Sequence, residues 1–284
     1  MKAADIPDPE LEVSLILAHV LNISRTGLLL SGERVLADNQ CAEFERYISR
    51  RLHREPLAYI LEEKEFWSLP FTVSRDVLIP RPETEQLIEL TLAAVKKMHH
   101  DSAGQPFRIL DLGTGSGIIG VVLAVELAAA HVTAVDISYK ALKVAAHNAR
   151  RHNVSEHIEF VNSDWFAGLA LKNHYDLVLA NPPYIARHSL EKSLQESTAT
   201  LQPEVVDYEP HLALDGGESG IDSIWLIAGN LNRLLKCGGW FFMEIGGDQA
   251  EDVSAIFMET ASYDNIAVHK DYAGLPRVFQ ARKL

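Results

Sequence analysis

The chain has 284 residues, of which 47% are apolar, and its formal net charge is −13. This length allows one large domain with a small companion, and the apolar content is ordinary for a folded core. The acidic balance argues against broad binding to nucleic-acid phosphates, which needs many basic side chains to replace counterions.

Cysteine content and hydropathy further narrow the class of protein and the compartment in which we expect it. Cys41 and Cys237 form no CxxC pair, so they indicate two idle thiols in a reducing compartment rather than a disulfide framework. The first twenty residues are acidic and lack the basic start of a signal peptide. Because no uncharged stretch is long enough to cross a bilayer, we expect a soluble cytoplasmic protein without a membrane partner.

Helical periodicity dominates the first sixty residues. Residues 9–21, PELEVSLILAHVL, and residues 39–55, NQCAEFERYISRRLHRE, each place apolar side chains on one face. In the second segment this face consists of Phe44, Tyr47, Ile48 and Leu52. Basic residues cluster near its end, where they suit the helix dipole, which predicts a solvated helix end. The alternative is a docking patch for an acidic or nucleic-acid-bearing partner. The cluster comprises Arg50, Arg51, His53 and Arg54.

Residues 65–73, EFWSLPFTV, predict a hairpin with its turn at Ser68-Leu69-Pro70. We therefore divide the chain into a helical domain over residues 1–80, whose hairpin linker covers about 65–80, and a second domain over residues 81–284. In LIPRPETE, which follows the hairpin, Glu83 and Glu85 fall in the first turn of a new helix, where acids are favoured. The alternative is that Arg81 and Glu83 line a site at the junction.

From residue 107 onward, strand-like and helical stretches alternate, which predicts a mostly parallel sheet covered on both faces. Ligands of such α/β sheets bind beyond the carboxyl ends of the strands. The strand-like stretches are FRILDL, HVTAVDI, IEFVNS, YDLVLA and WFFMEIG. The clearest helical stretches are YKALKVAAHNARRH and IDSIWLIAGNLNRLLK.

A glycine-rich loop follows the first of these strands in ILDLGTGSGIIG. Glycine allows sharp turns and close approach of a ligand, and the next helix begins with free N–H groups. Residues 115–120 match the G-x-G-x-x-G fingerprint, and Asp136 stands where that fingerprint places an acid for ribose hydroxyls. This pattern alone does not separate NAD from S-adenosylmethionine.

Asp111, directly before the glycines, favours S-adenosylmethionine. A carboxylate beside the loop disfavours a pyrophosphate and suits a ligand's ammonium or sulfonium group. The alternative is that Asp111 only caps the loop by accepting backbone hydrogen bonds, and both roles are compatible. Further along, Trp165 offers a face for adenine and Asp164 an acceptor for an amino group, although Trp165 is equally consistent with a core position.

The stretch Asn181-Pro182-Pro183-Tyr184 ends the buried strand YDLVLA. A residue before proline is held extended, so Asn181 and Pro182 both have preset conformations. The Asn181 side-chain oxygen and the Pro182 carbonyl then form two fixed acceptors, which suit a planar NH2 group. They would aim that nitrogen at a methyl donor by orientation and fixed dipoles, with Tyr184 over the flat face of the substrate. A plain turn or an exposed polyproline ligand are the alternatives.

On these motifs the sequence resembles the peptide chain release factor glutamine N5-methyltransferase family. The resemblance covers nearly the whole chain and departs from the family pattern at Ser219, where an acidic residue is expected. It implies a class I, Rossmann-like methyltransferase fold with a mostly parallel seven-stranded sheet behind the helical domain. The segments that carry it are LIPRPETE, DLGTGSG, VDIS, SDWF, NPPYI, EPHLALDGGESG and KDYAGLPRVF.

The resemblance also implies substrates and residue roles. S-adenosylmethionine would donate a methyl group, leaving S-adenosylhomocysteine, to the glutamine of a Gly-Gly-Gln loop in class I release factors, modulating translation termination. The helical domain would grip the release factor, and no metal or direct nucleic-acid partner is expected. The glutamine amide would be held by Asn181, Pro182 and Tyr184, with Pro183 shaping the loop. The cofactor would be held by Gly113, Thr114, Gly115, Ser116, Gly117, Asp136, Trp165 and Asn181.

Three other functions stay open at this point. A glutamine methyltransferase of a ribosomal protein would use the same chemistry. An adenine or guanine amino-methyltransferase would meet the same NH2 group, but the acidic chain lacks an obvious nucleic-acid surface. A non-catalytic cofactor-binding module is the third, and the intact Asn181–Tyr184 stretch weighs against it.

Overall fold

The computed structural model describes residues 6–98, 106–170, 172, 174–195 and 201–284. The helical N-terminal region packs around Ile16, Tyr47 and Ile60, which are all buried. Its two longer helices match the predicted segments, although Leu52, assigned to the apolar face, is 42% exposed. From residue 6 onward, the helices of this region are α1 (Pro9–Val20), α2 (Arg25–Leu30), α3 (Asp38–Leu52) and α4 (Leu57–Leu61).

The basic cluster at the end of α3 is only partly the predicted solvated helix end, because His53 is exposed whereas Arg51 is buried, and the docking alternative stays a prediction. Arg51 is 4% exposed. Its Nε lies 2.6 Å from Glu12 Oε2 on α1, and its Nη1 lies 3.0 Å from Glu204 Oε1. Arg54 also contacts Glu204, at 2.8 Å. A buried charge requires a partner. The ion pairs of Arg51 and Arg54 with Glu204 therefore join the helical region to the rest of the protein.

A two-stranded hairpin follows, formed by β1 (Glu63–Phe66) and β2 (Leu69–Thr72). Its turn is at Trp67-Ser68, with φ of 55° and 56°, and not at the predicted Ser68-Leu69-Pro70. Two consecutive positive φ values suit a two-residue hairpin turn because their twist matches that of the strands. Pro70 lies within β2, opposite Glu65, where a two-stranded ribbon leaves an outer edge that needs no N–H donor.

The larger part of the chain forms a seven-stranded sheet in the order β5-β4-β3-β6-β7-β9-β8. The predicted class, a mostly parallel sheet, is confirmed, and all five strand-like stretches are strands. One edge of the sheet is antiparallel, because β9 runs antiparallel to both β7 and β8. The strands are β3 (Phe107–Leu112), β4 (Ala130–Asp136), β5 (Ile158–Asn162), β6 (Tyr175–Ala180), β7 (Leu235–Glu244), β8 (Tyr263–Lys270) and β9 (Pro276–Lys283).

Helices cover both faces of this sheet, as the alternation predicted. One apolar core lies between the sheet and α5, α6 and α7, and the other between the sheet and α10 and α11. Successive side chains of β7 point to opposite faces of the sheet, so Phe242 packs in the first core and Phe241 in the second. The helices are α5 (Thr84–Lys97), α6 (Ile118–Glu126), α7 (Tyr139–Arg151), α8 (Arg187–Gln195), α9 (Pro203–Tyr208), α10 (Asp222–Leu231) and α11 (Ala250–Glu259). No helix in the described part of the chain is long and apolar enough to cross a membrane.

Candidate active site

A cavity of about 290 Å³ opens at the carboxyl ends of β3, β4 and β6. This is the edge at which open α/β sheets bind ligands, as the sequence predicted. Most of the predicted site residues line it, whereas Gly117, Pro182 and Tyr184 lie outside the lining. Those that line it are Gly113, Thr114, Gly115, Ser116, Asp136, Trp165, Asn181 and Pro183.

The glycine loop takes conformations that other residues rarely adopt. Gly113, Gly115 and Gly117 have φ of 70°, 55° and 84°. A Cβ on Gly113 would find only the Asn181 carbonyl oxygen, 4.0 Å away, so the space in front of it is open. A Cβ on Gly117 would lie 3.0 Å from the Ala145 Cβ of α7. The first glycine therefore leaves room toward the cavity, and the last allows α7 to pack against the loop.

Asp136 ends β4 and holds the glycine loop in place. Its Oδ2 accepts a hydrogen bond from Gly115 N, and its Oδ1 accepts one from Ser138 N, each at 2.8 Å. Burial raises the pKa of this carboxyl. Each carboxylate oxygen can accept a second hydrogen bond, so the Asp136 side chain retains capacity for hydroxyl groups of a ligand.

Asp111 is used as a cap of the loop, which was one of its two predicted roles. Its Oδ2 accepts hydrogen bonds from Thr114 Oγ1 at 2.6 Å and from Gly120 N at 3.1 Å. The side chain is fully buried and is not part of the cavity lining. Burial raises its pKa to about 6. The contact with a ligand's cationic group, its other predicted role, stays a prediction.

Trp165 combines the two interpretations that the sequence left open. Its side chain lines the cavity and also packs against the core between the sheet and the α10–α11 face. The backbone at Trp165 has φ of 45°, a left-handed conformation that bulky residues adopt rarely. The indole is therefore presented at the cavity wall rather than fully enclosed in the core.

Asn181 follows β6, and its side-chain amide is tied down on one side. Asn181 Nδ2 donates to Glu244 Oε2 at 3.1 Å and to Thr84 Oγ1 at 3.3 Å. In the described part of the chain, no group donates a hydrogen bond to Asn181 Oδ1 or to the Pro182 carbonyl. These are the two acceptors that the sequence predicted; Asn181 lines the cavity, whereas Pro182 is buried outside its lining, so its contact with a ligand stays a prediction.

Tyr184 is clamped by the loop that contains Asp215 and the following glycines. A parallel bridge joins Ile185 to Asp215, and a Cβ on Gly216 would lie 2.8 Å from the Tyr184 Cα. The Tyr184 hydroxyl donates to Glu244 Oε1 at 3.4 Å, and burial raises its pKa. The segment LDGGESG thus supports the Asn-Pro-Pro-Tyr turn, and Ser219 is exposed within it.

Glu244 and Thr84 were not identified from the sequence, although both are buried within this site. Glu244 is 1% exposed at the end of β7, and Thr84 is fully buried at the start of α5. Burial is the main cause that raises the pKa of Glu244, and the hydrogen bond from Thr84 opposes it. The available signal was a charged residue at the end of the apolar run WFFMEIG.

The junction residues divide between two roles. Arg81 lines the cavity, and its Nη2 lies 2.5 Å from Glu209 Oε1. Glu209 is 4% exposed and also accepts a hydrogen bond from Ile79 N at 3.1 Å. Glu83 immediately precedes α5 and is not part of the lining. The junction alternative therefore applies to Arg81, and the helix-start interpretation applies to Glu83.

The donor and acceptor set of the cavity fits a nucleoside with a flat base. The open space at Gly113 admits a ligand next to the backbone, and Asp136 offers acceptors for ribose hydroxyls. Ile137 and Trp165 contribute apolar residues to the cavity lining. The described residues contain no group of three or more side chains that could hold a metal ion.

Comparison with protein families and relatives finds matches to two segments of the chain and to whole relatives. Residues 1–61 match the family described as the PrmC N-terminal domain, and residues 91–204 match the methyltransferase small domain. The release factor glutamine methyltransferase of Koribacter versatilis is 40% identical over 100% of this chain and 94% of its own length. That of Nitratidesulfovibrio vulgaris is 37% identical over 100% of this chain and 91% of its own.

Solved structures with the same fold are more distant in sequence. The hMettl16 catalytic domain in complex with an RNA hairpin has a TM-score of 0.58 and 15% identity, covering 86% of this chain and 81% of its own. A methyltransferase from Pyrococcus furiosus has a TM-score of 0.52 and 15% identity, covering 84% and 98%. At these identities the likeness concerns the fold alone.

Proposed function

The chain belongs to the release factor glutamine methyltransferase family, and we propose that it methylates a glutamine side-chain amide of class I peptide chain release factors. The methyl group goes from S-adenosylmethionine to the amide nitrogen, N5, of the glutamine in a Gly-Gly-Gln loop. The bound cofactor supplies an electrophilic methyl carbon on a sulfonium centre. The observation that carries the proposal is the Asn181 side chain, whose Nδ2 is occupied and whose Oδ1 is left for a ligand.

The glycine loop and β4 hold the cofactor in this proposal. Gly113 and Gly115 bring the backbone close to it, with Thr114 and Ser116 between them. Asp136 accepts hydrogen bonds from ribose hydroxyls, and Trp165 forms the wall beside the base. Gly117 acts indirectly, by letting α7 pack under the loop.

The Asn-Pro-Pro-Tyr turn holds the glutamine amide. Asn181 Oδ1 and the Pro182 carbonyl accept its two N–H groups, which fixes the nitrogen and favours the positive charge that develops on it. Pro183 stiffens the turn, and the Tyr184 ring covers the flat amide. An amide nitrogen is a poor nucleophile because its lone pair is delocalised, so orientation carries much of the rate. The methylated cation is acidic enough to lose its proton to water.

The helical region over residues 1–80 docks the release factor away from the cavity. What supports this is a set of strongly exposed apolar side chains on and after α2, which a free surface rarely carries together. Leu29, Leu30 and Val35 are 77%, 82% and 92% exposed. Arg51 and Glu204 connect this region firmly to the catalytic part, so a partner held there has a defined position relative to the cavity.

A labelled methyl-transfer assay tests the proposed function. The full chain is offered a class I release factor, the same factor with its Gly-Gly-Gln glutamine changed to alanine, a ribosomal protein and a nucleic acid, side by side. Label should enter only the unchanged release factor. Label in the alanine variant, in the ribosomal protein or in the nucleic acid would contradict the proposed substrate.

A further inference from the structure

A buried carboxylate, Glu244, lies behind the Asn-Pro-Pro-Tyr turn and contacts three side chains. Its Oε2 accepts a hydrogen bond from Thr84 Oγ1 at 2.6 Å and one from Asn181 Nδ2 at 3.1 Å. Its Oε1 faces the Tyr184 hydroxyl at 3.4 Å. The glutamate is 1% exposed and is not part of the cavity lining, so it does not meet a ligand directly.

The hydrogen bonds of this group have a fixed direction. An ionised carboxylate can only accept, so the Thr84 hydroxyl must give its proton to Glu244. The Thr84 oxygen is then free to accept from Asn181 Nδ2, which lies 3.3 Å away. Both neighbours of the Asn181 amide on this side are therefore acceptors.

Two acceptors on one side determine which way the Asn181 amide faces. The amide carries its oxygen and its NH2 group at opposite corners, and only the hydrogen-bond network decides between the two orientations. A flipped amide would place Asn181 Oδ1 against Glu244 Oε2 with no proton between them, and an unmade hydrogen bond in a buried position is costly. Only the orientation with Oδ1 away from Glu244 satisfies all three side chains.

We propose that Glu244 is a positioning residue that acts through Asn181, with Thr84 as its relay, by holding the Asn181 oxygen toward the substrate amide. This inference rests on the proposed function, because it assigns to Asn181 the role of accepting from the glutamine NH2 group. A flipped asparagine would present a donor to another donor and would hold the substrate nitrogen away from its reactive orientation.

The inference differs from a purely structural role for the buried carboxylate. A structural role predicts that variants of Glu244 lose stability and activity whether or not Asn181 is present. A positioning role predicts that they lower turnover only when Asn181 is there to be positioned. The two are separated by a double-mutant cycle, because only side chains that act through each other give non-additive losses.

The test uses full-length chains with Glu244→Gln, Asn181→Ala, Thr84→Val and Thr84→Ser, each alone, and Glu244→Gln combined with Asn181→Ala. Gln keeps the shape of Glu244 but can face Asn181 with a donor, and Val keeps the shape of Thr84 without its hydroxyl. Thr91→Val is the matched control, because Thr91 is also fully buried on α5 and its hydroxyl donates to Leu87 O, in its own helix. Turnover, KM for the release factor, cofactor affinity and thermal unfolding are measured for each.

We expect Glu244→Gln and Thr84→Val each to lower kcat about tenfold, the scale of one lost hydrogen bond. Cofactor affinity should stay within about twofold, and Thr84→Ser and Thr91→Val should retain kcat. In the Asn181→Ala background, Glu244→Gln should lower kcat no further. If Glu244→Gln does not fold, Thr84→Val and its combination with Asn181→Ala make the same comparison.

Failure of the inference and failure of the proposed function give different results. Full turnover by Asn181→Ala alone would remove Asn181 from the mechanism and, with it, the reason for positioning it. A loss with Asn181→Ala but none with Glu244→Gln or Thr84→Val would leave the proposed function intact and overturn the inference. Losses that multiply in the double variant would overturn it as well, since Glu244 would then act independently of Asn181.

Discussion

The two loops that border the cavity are built on buried or half-buried carboxylates, but they use them differently. At the glycine loop, Asp111 and Asp136 accept hydrogen bonds mainly from backbone N–H groups, those of Gly120, Gly115 and Ser138. At the Asn-Pro-Pro-Tyr turn, Glu244 accepts, among the described residues, only from side chains. The first arrangement shapes the course of the chain, and the second sets the orientation of one amide.

Because of this difference, we expect substitutions at the glycine loop and at the Asn-Pro-Pro-Tyr turn to affect different properties of the protein. Substitutions around the glycine loop change backbone geometry, so we expect them to alter the free energy of unfolding and cofactor affinity. Substitution of Asn181 itself leaves a turn that two prolines already stiffen, so we expect it to alter methyl transfer at nearly constant stability.

The largest effect is expected for Asn181→Ala, which removes one of two acceptors for the substrate amide. Methyl transfer should fall about 100- to 1000-fold, the loss typical of removing one preorganised hydrogen-bonding group from an active site. Cofactor affinity, measured by calorimetry, should stay within about threefold. Unchanged turnover would remove the contrast between the two loops.

Asp111→Asn tests the glycine loop through its pH dependence. Because burial raises the pKa of Asp111 from 3.8 to about 6, the folded protein binds a proton more tightly than the unfolded chain. The stability gained from that proton is complete below about pH 4 and is lost as the pH rises past 6. At about 1.4 kcal/mol for each tenfold change in proton affinity, the loss approaches about 3 kcal/mol by pH 7.

The asparagine variant cannot titrate and should not show this loss. Its free energy of unfolding relative to the parent, from urea denaturation, should therefore become more favourable by up to about 3 kcal/mol between pH 4 and pH 7. A difference that does not vary with pH would show that Asp111 does not carry the raised pKa.

Gly117→Ala and Gly113→Ala form a matched pair within one loop. Both glycines have positive φ, but only Gly117 is crowded, by Ala145 of α7. We expect Gly117→Ala to destabilise the protein by about 2 kcal/mol and Gly113→Ala by about 1 kcal/mol. Gly113→Ala should instead weaken cofactor binding about tenfold, because its Cβ enters the open space of the cavity. Equal cofactor affinities in the two variants would contradict this division.

The smallest effect is expected for Tyr184→Phe. The Tyr184 hydroxyl lies 3.4 Å from Glu244 Oε1, which is a long and weak hydrogen bond, while the ring that covers the substrate is retained. Turnover should change by about twofold or less, whereas Tyr184→Ala, which removes the ring, should lower it much more. A large loss with phenylalanine would assign the hydroxyl a role that its geometry does not indicate.

Much of the sheet and of the cavity could be predicted because both rest on local patterns. The five predicted strands read as short apolar runs, the glycines and Asn181 directly follow two of them, and Asp136 ends a third. Since parallel strands bring their carboxyl ends to one edge, residues that lie far apart in the sequence could be assigned to one site.

The rest depends on contacts between distant segments, which no local pattern carries. Thr84 reads as an ordinary helix start, and Glu244 as the end of a strand, yet they meet across 160 residues. The cluster around Arg51 has the composition of a solvated surface, and the positions of Glu12 and of Glu204, 153 residues after Arg51, give that arginine its buried ion pairs. The hairpin turn was misplaced because Pro70 is a common turn former, while Trp67 and Ser68 rarely take positive φ.

The contact between Arg51 and Glu204 has a consequence for exchanging modules between relatives. Helix α9 lies in the catalytic half of the sequence, but its Glu204 completes the charge balance of α1 and α3, and the Tyr208 hydroxyl bonds to His53 O at 2.6 Å. A chimera that exchanges residues 1–80 alone would place the guanidinium at position 51 opposite a catalytic region from a different protein. A chimera that exchanges the helices over residues 9–61 would therefore need to exchange residues 203–209 with them.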